Sequence, residues 1–235
     1  MTRALLLLAA LGFMTAPSHG LVQQAIERLQ GTWVITSVEG EGLPAGVHVA
    51  LVLNGDKYQG LKQGKIDERG TIKVDPTAKP MTIDFVITEG THSGKTQLGL
   101  VEVTDDRMTL VLGEPGATAR PTAMTQSPLG LTKLRPIAKE LEGSWEGAIT
   151  TPSGQALRCI FKLSSGSDGL GTGTMISVDQ GGQAPIVAVV QIGSRLKLIV
   201  PAIKGTYDGE LKTGQLTGTW SQGRATTPLV LKKSM

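Results

Sequence analysis

Aromatic side chains are scarce in this 235-residue chain, at three tryptophans, two tyrosines and three phenylalanines. Single-stranded nucleic acid is held by stacking bases on aromatic platforms along a basic groove. Here the platforms are few and the Lys and Arg residues are scattered singly, the densest group being Lys232-Lys233. Nucleic acid is therefore not an expected partner. Cysteine is scarcer still: Cys159 stands alone, so no intramolecular disulfide can form and stability must come from a packed core. It falls on a dry strand face between Leu157 and Phe161, where a thiol behaves as a small apolar residue rather than a nucleophile.

Histidine occurs at 19, 48 and 92 only. With no H-x-H or C-x-x-C spacing, neither a metal centre nor a cofactor is expected. No G-x-S-x-G is present, and His48 and His92 have no accompanying motif. Both read as exposed strand or loop residues, and the chain reads as no enzyme. Gly90-Thr-His-Ser-Gly94-Lys95-Thr96 is one residue short of a phosphate-binding loop and lies between two strands, so it is predicted to be a hairpin loop. Asp67-Glu68 and Asp105-Asp106 are predicted at turns. Ser164 to Gly173, with Asp168, lacks the alternating ligands of a calcium loop and reads as a plain hairpin.

Long apolar runs are missing after the first twenty residues, which excludes a helical membrane span in the mature chain. Those twenty have their own pattern. Arg3 gives a basic start, Ala4 to Met14 an apolar stretch, and Pro17-Ser-His-Gly20 a break with small residues. This is the pattern of a secretory signal peptide, residues 1–20, and the expected destination is the periplasm or the exterior. No cysteine follows the stretch, so lipid attachment there is not expected. Removing Arg3 leaves 22 basic against 20 acidic residues, a net charge of +2.

What is present is a five-residue motif repeated three times: Leu29-Gln-Gly31-Thr-Trp33, Leu141-Glu-Gly143-Ser-Trp145 and Leu216-Thr-Gly218-Thr-Trp220. Together they use every tryptophan. The first two copies extend upstream, Ile26-Glu-Arg matching Ala138-Lys-Glu, and each upstream stretch can form one or two helical turns ending at the glycine. Two domains begin the same way, 21–135 and 136–235, the first halted by Leu134-Arg135-Pro136.

Strands show as period-two alternation. In the first domain Trp33 and Ile35, then Val47, Val49, Leu51 and Leu53, then Met81, Ile83, Phe85 and Ile87, then Met108, Leu110 and Leu112 should face one side. Turns are expected at Glu39 to Pro44, Asn54-Gly55-Asp56, Glu68-Arg-Gly70 and Asp105-Asp106. In the second domain eight short strands are predicted near 143–151, 156–164, 171–178, 185–192, 195–200, 204–212, 214–221 and 227–233. Its inward candidates include Cys159, Phe161, Leu163, Leu196, Leu198 and Leu231. Such a series suits an antiparallel up-and-down barrel, closed by pairing the strand after Thr227 with the strand holding Trp145. The predicted fold class is all-β, two tandem barrels.

A helical turn followed by G-x-W resembles the calycin pattern of lipocalins, in which the tryptophan plugs one barrel end. More specifically, residues 25–135 are similar to a family of exported bacterial lipocalin-like domains, abundant in planctomycetes and without assigned function. The blocks are Leu29-Gln-Gly-Thr-Trp33-Val-Ile-Thr-Ser-Val38, Asp75-Pro76-Thr-Ala-Lys-Pro80-Met-Thr-Ile-Asp84, Gly94-Lys-Thr96 with Gly99-Leu100, and Arg120-Pro121-Thr122. The second domain resembles a short bacterial β-domain sometimes found ahead of serine-hydrolase domains, through Gly143-Ser-Trp145-Glu-Gly147, Asp179-Gln-Gly181 and Leu216 to Gly223. No hydrolase segment follows in this sequence, so that context is not expected to transfer.

The resemblance implies that Gly31, Trp33, Gly143 and Trp145 close barrel ends, with Gly218 and Trp220 packing on a late strand. It also implies an arginine, Arg120 or Arg135, against Trp33. Tyr58 and Tyr207 alone have no obvious core role. Two binding readings follow: a small apolar ligand inside a barrel, or a protein, peptide or glycan on the outer surface of filled barrels.

Overall fold

The computed structural model describes residues 18–234, so the leader reading falls mainly outside the described residues. The expected cleavage point after Gly20 lies in the first turn of α1 (Ser18–Leu29). No described helix is long and apolar enough to cross a membrane.

The strands form two antiparallel barrels. The N-barrel contains β1 (Gly31–Val38), β2 (Glu41–Gly42), β3 (Val49–Asn54), β4 (Lys57–Lys62), β5 (Lys65–Asp75), β6 (Met81–Glu89), β7 (Thr96–Val103), β8 (Arg107–Leu112) and β9 (Leu129–Lys133). β1 and β3 to β9 follow one another in sequence order, and β9 pairs back onto β1 from Trp33↔Lys133 to Val38↔Leu129. That closure leaves eight strands without a free edge; β2 is a short extra strand folded back on the end of β1.

The C-barrel contains β10 (Gly143–Thr150), β11 (Ala156–Ser165), β12 (Gly171–Ser177), β13 (Gly182–Ile186), β14 (Ala188–Ile192), β15 (Arg195–Val200), β16 (Gly205–Lys212), β17 (Gln215–Gln222) and β18 (Ala225–Lys233). As expected, β18 pairs with β10, through Trp145↔Lys233 and Glu146↔Lys232. The predicted fourth strand is two. Among the described residues β13 pairs with β12 alone and β14 with β15 alone, and the switch comes at Val187, whose N–H donates to the Ile199 carbonyl at 2.9 Å. Pro185 lies just before the switch, where its missing N–H is tolerated because β13 has no second partner. The C-barrel is therefore nearly closed, with its wall parted between β13 and β14.

Local chemistry explains most of the turns. The pairs Glu39-Gly40, Gln63-Gly64 and Thr213-Gly214 all have positive φ, the backbone that a tight hairpin needs to match strand twist. Two expectations need correction here. Asp67, Glu68 and Gly70 lie inside β5, not at a turn; the turn is Gln63-Gly64. Gly70 is a close-packing residue: a Cβ there would meet the Tyr58 ring at 2.7 Å and the Val86 backbone. Nor is Tyr58 free of a core role. It is buried, stands edge-on to Phe85 with centroids 4.9 Å apart, and donates its hydroxyl to Glu68 at 2.7 Å. Tyr207 is buried too, in the C-barrel core beside Phe161.

The two G-x-W ends are built alike. Gly31 and Gly143 have φ of +112° and +116°, which turns the chain sharply into the first strand. Both indoles are sealed, and their N–H groups donate to Leu29 O at 2.7 Å and Leu141 O at 2.8 Å. What leads into them differs. α1 buries Ala25 and Leu29 one turn apart, whereas the second copy has only a 3-10 turn, Lys139–Leu141. There the upstream backbone is already committed, Pro136 bridging Leu170 and the Ile137 N–H bonding Gly169 O.

The barrels touch side by side. Val34 and Ala50 on the outer face of the N-barrel pack with Ala188 and Ile199 of the C-barrel, with Leu61, Leu134 and Val187 at the margin. The Gly46 N–H donates to Thr206 Oγ1 at 2.9 Å, and a Cβ on Gly46 would meet the backbone of Lys204 and Gly205.

Candidate ligand cavity

The end of the C-barrel opposite Trp145 is hollow. Alternation along each strand points Ile149, Leu157, Cys159, Met175, Ala184 and Trp220 inward, and these surround a cavity of about 620 Å³. The space comes from the small inward residues nearest the mouth, Cys159, Ser177, Gly182, Ala184, Ala225 and Thr227. The 3-10 turn Pro201–Ile203 brings Ile203 into the lining. Among the described residues, Gln180, Gln183, Gln222, Thr150 and Thr226 supply the polar rim.

Trp220 thus differs from the other two tryptophans. It is 1% exposed to solvent yet forms part of the cavity wall, and its N–H reaches a side chain, Gln222 Oε1 at 3.3 Å, rather than a main-chain carbonyl. Gly205 on the neighbouring strand makes room for it; a Cβ there would collide with the ring. The third copy of the motif is consequently not a plug. Its Gly218 sits where a Cβ would collide with the Asp208-Gly209 backbone.

Cys159 lines the same cavity. Burial pushes its thiol up to about 11, and Sγ lies 3.5 Å from Gly147 O. Such a thiol is protonated at neutral pH, in keeping with an apolar wall. Tyr207, across from Trp220 in the β16–β17 pairing, has its hydroxyl buried without a partner.

The remaining predicted residues are dispersed. Arg120 does not face Trp33: it pairs with Asp84 at 2.5 Å and donates to Gly99 O at 2.6 Å, tying the 113–128 loop to the barrel wall. Arg135 pairs with Asp106 at 2.8 Å and donates to Asp105 O. The cation over Trp33 is Lys133, 5.1 Å from the ring centroid, and Lys233 stands over Trp145 at 5.5 Å. A lysine reaches these rings because the closing strand ends opposite the tryptophan in both barrels. The matching ends Leu131-Thr-Lys133 and Leu231-Lys-Lys233 carry that signal in the sequence. The 90–96 segment is a hairpin loop with His92 half-buried in it, Asp105-Asp106 form a turn, and Asp168 caps the β11–β12 hairpin by accepting the Leu170 N–H at 3.0 Å. Among the described residues no group of three or more His, Cys, Asp or Glu is placed to hold a metal ion.

His48 is a further correction. Read as exposed, it is 3% exposed, because the outer face of the N-barrel here is covered by the C-barrel. It lies between Gly46 and Ala50, both of which meet that barrel, and its Nδ1 has no hydrogen-bond partner among the described residues. Burial pushes its pKa below the ordinary 6.5. Above that value both folded and unfolded chains hold it neutral and it adds no pH dependence. As pH falls through 6.5 the unfolded chain takes up a proton that the folded chain resists, so stability falls until the folded form is protonated as well. The drop in urea midpoint between pH 7.5 and pH 5 should therefore be smaller in His48→Gln than in the wild type. Equal drops in both proteins would contradict this placement.

No family model matches the chain, and no curated protein matches it. Among solved structures it is similar to a Nostoc punctiforme protein of unknown function from the DUF3598 family, at 11% identity over 91% of this chain and 99% of that one, with a TM-score of 0.24. It is also similar to a Bacteroides fragilis protein provisionally described as an outer membrane protein, at 14% identity over 89% and 99% of the two chains, with a TM-score of 0.28. At those scores neither likeness bears on fold or role, which rest on the geometry above.

Proposed function

We propose that this chain is an exported, non-catalytic binding protein of the lipocalin-like class, whose C-barrel carries a small apolar ligand. The observation that carries this reading is the cavity of about 620 Å³ at the C-barrel mouth, walled by aliphatic, thioether and indole side chains. Its size and lining match those of sites that enclose small molecules mainly by burying apolar area, with a few polar groups at the entrance. Export is supported by the basic, apolar and small-residue blocks of residues 1–20. Membership in the lipocalin-like family is supported by the G-x-W ends and the ordered sequence blocks of the first domain.

The test is titration with N-phenyl-1-naphthylamine, an apolar dye that fluoresces when it leaves water. One saturable site is expected in the wild type. Ala184→Trp, which places an indole in the cavity, should abolish it with the far-ultraviolet circular dichroism unchanged. Absence of saturable binding, or undiminished binding in a folded Ala184→Trp protein, would contradict the proposal.

A further inference from the structure

Ligand class follows from the charges around the cavity, given the reading of that cavity as a binding site. Among the described residues, the one ionisable side chain on its lining besides the Cys159 thiol is Arg158. That guanidinium is already committed. Nε and Nη2 both donate to Asp179 Oδ1, at 2.9 and 2.7 Å, while Asp179 Oδ2 accepts the Arg158 main-chain N–H at 2.6 Å. Its side chain is 70% exposed, lying on the outer face of β11. Among the described lining residues a ligand in the cavity therefore meets no unpaired charge of either sign.

What the wall does offer is neutral hydrogen bonding. The Trp220 N–H is held by Gln222 Oε1 at the long distance of 3.3 Å, Thr227 lies opposite Trp220 on the next strand, and Gln180 and Gln183 are elsewhere on the lining. A ligand oxygen can replace Gln222 as the acceptor of the indole N–H, leaving the Gln222 amide free to turn toward solvent or ligand. A carboxylate or ammonium drawn to the same depth would shed its hydration with nothing to replace it. Keeping such a headgroup in water instead withdraws methylene groups from the apolar wall, each worth roughly fourfold in affinity.

We infer that the C-barrel cavity selects uncharged amphiphiles, with the hydrocarbon part against Ile149, Leu157, Met175 and Ile203 and one neutral oxygen accepting the Trp220 N–H beside Gln222. The selectivity is set by the absence of an unpaired charge, and Trp220 is the orienting donor.

Displacement of N-phenyl-1-naphthylamine at pH 7.5 by 1-octanol, octanoate and octylammonium tests this, since the three share one chain and differ in the headgroup. Octanol should compete about tenfold or more better than either ion. Trp220→Phe should weaken octanol about tenfold, the size of one lost hydrogen bond. Gln222→Lys, which adds a cation at the rim and removes the side-chain acceptor of the Trp220 N–H, should shift the preference toward octanoate. Octanoate or octylammonium competing as well as octanol in the wild type would overturn the selectivity while the dye still binds. Dye binding that is itself absent would instead defeat the underlying reading of the cavity. Octanol affinity unchanged in a folded Trp220→Phe protein would remove the indole from its assigned role, and an unshifted preference in Gln222→Lys would count against charge as the discriminator.

Discussion

Trp145→Ala is expected to destabilise the C-barrel by about 3–5 kcal/mol, the range seen when a large buried aromatic is truncated and the site cannot collapse. Three contacts are lost together. The indole is 1% exposed and belongs to the core cluster that includes Phe161 and Leu231. Its N–H satisfies Leu141 O at 2.8 Å, the last carbonyl of a single 3-10 turn that has little else to hold it. Lys233, stacked over the ring at 5.5 Å and bonded to Glu140 O at 2.7 Å, loses the surface that fixes the closing strand. Among the described residues β18 meets β10 in register at Trp145↔Lys233 and Glu146↔Lys232, so the loss falls directly on the pairing that joins the first and last strands of the barrel. Against a typical domain stability of about 5–15 kcal/mol this is a large share. Urea unfolding followed by far-ultraviolet circular dichroism should show the unfolding midpoint falling strongly. A loss below about 1 kcal/mol would mean the indole is not the plug described.

The second large effect is expected at Gly46, where the two barrels meet. With φ at +73°, any L-residue there is strained by about 1–3 kcal/mol. In Gly46→Val the side chain must also enter the Lys204-Gly205 backbone, which lies against that position, so the contact between the barrels has to open. Gly94→Val separates the two causes: its φ is +83°, but a Cβ there meets nothing within 4 Å. Both variants should lose stability to the backbone strain, and only Gly46→Val should uncouple the barrels. Scanning calorimetry should resolve two transitions for Gly46→Val and a more nearly single one for the wild type and Gly94→Val. Identical profiles for the two variants would show that the contact through Val34, Ala50, Ala188 and Ile199 contributes no coupling.

Much of this architecture is legible in the sequence, because a strand with one dry face writes its period directly into the residue order. The eight predicted strands of the second domain correspond to β10 through β18, and the pairing of β18 with β10 follows from the need to remove free edges. The exceptions have physical causes. Val187-Ala-Val-Val190 reads as one apolar run, yet Val187 is where the strand changes partners, and alternation carries no information about partner choice. His48 reads as outward, and it is, but outward there means toward the other barrel. Tyr58 reads as free because its ring is a core residue while its hydroxyl reaches a carboxylate, and residue type alone does not separate the two ends.

The cavity is the least legible feature. Ile149, Leu157 and Met175 are residues that would fill a barrel equally well. What leaves the mouth hollow is the smallness of Cys159, Ser177, Gly182, Ala184 and Ala225 on the same ring. Those small residues come from four different strands and converge only once the barrel closes. The cation over each plug tryptophan was missed for a related reason. Lys133 is 100 residues from Trp33, and Lys233 is 88 from Trp145, and each pair is brought together only by closure of its barrel.

The most direct measurement is methyl-resolved nuclear magnetic resonance of the protein titrated with 1-octanol. Saturable shifts are expected at the methyl groups of Ile149, Leu157, Met175 and Ile203, with the N-barrel core methyls of Ile83, Ile87 and Met108 unmoved. Shifts confined to the N-barrel or to the contact between the barrels, or no saturable shift anywhere, would contradict the assignment of the ligand site to the C-barrel mouth.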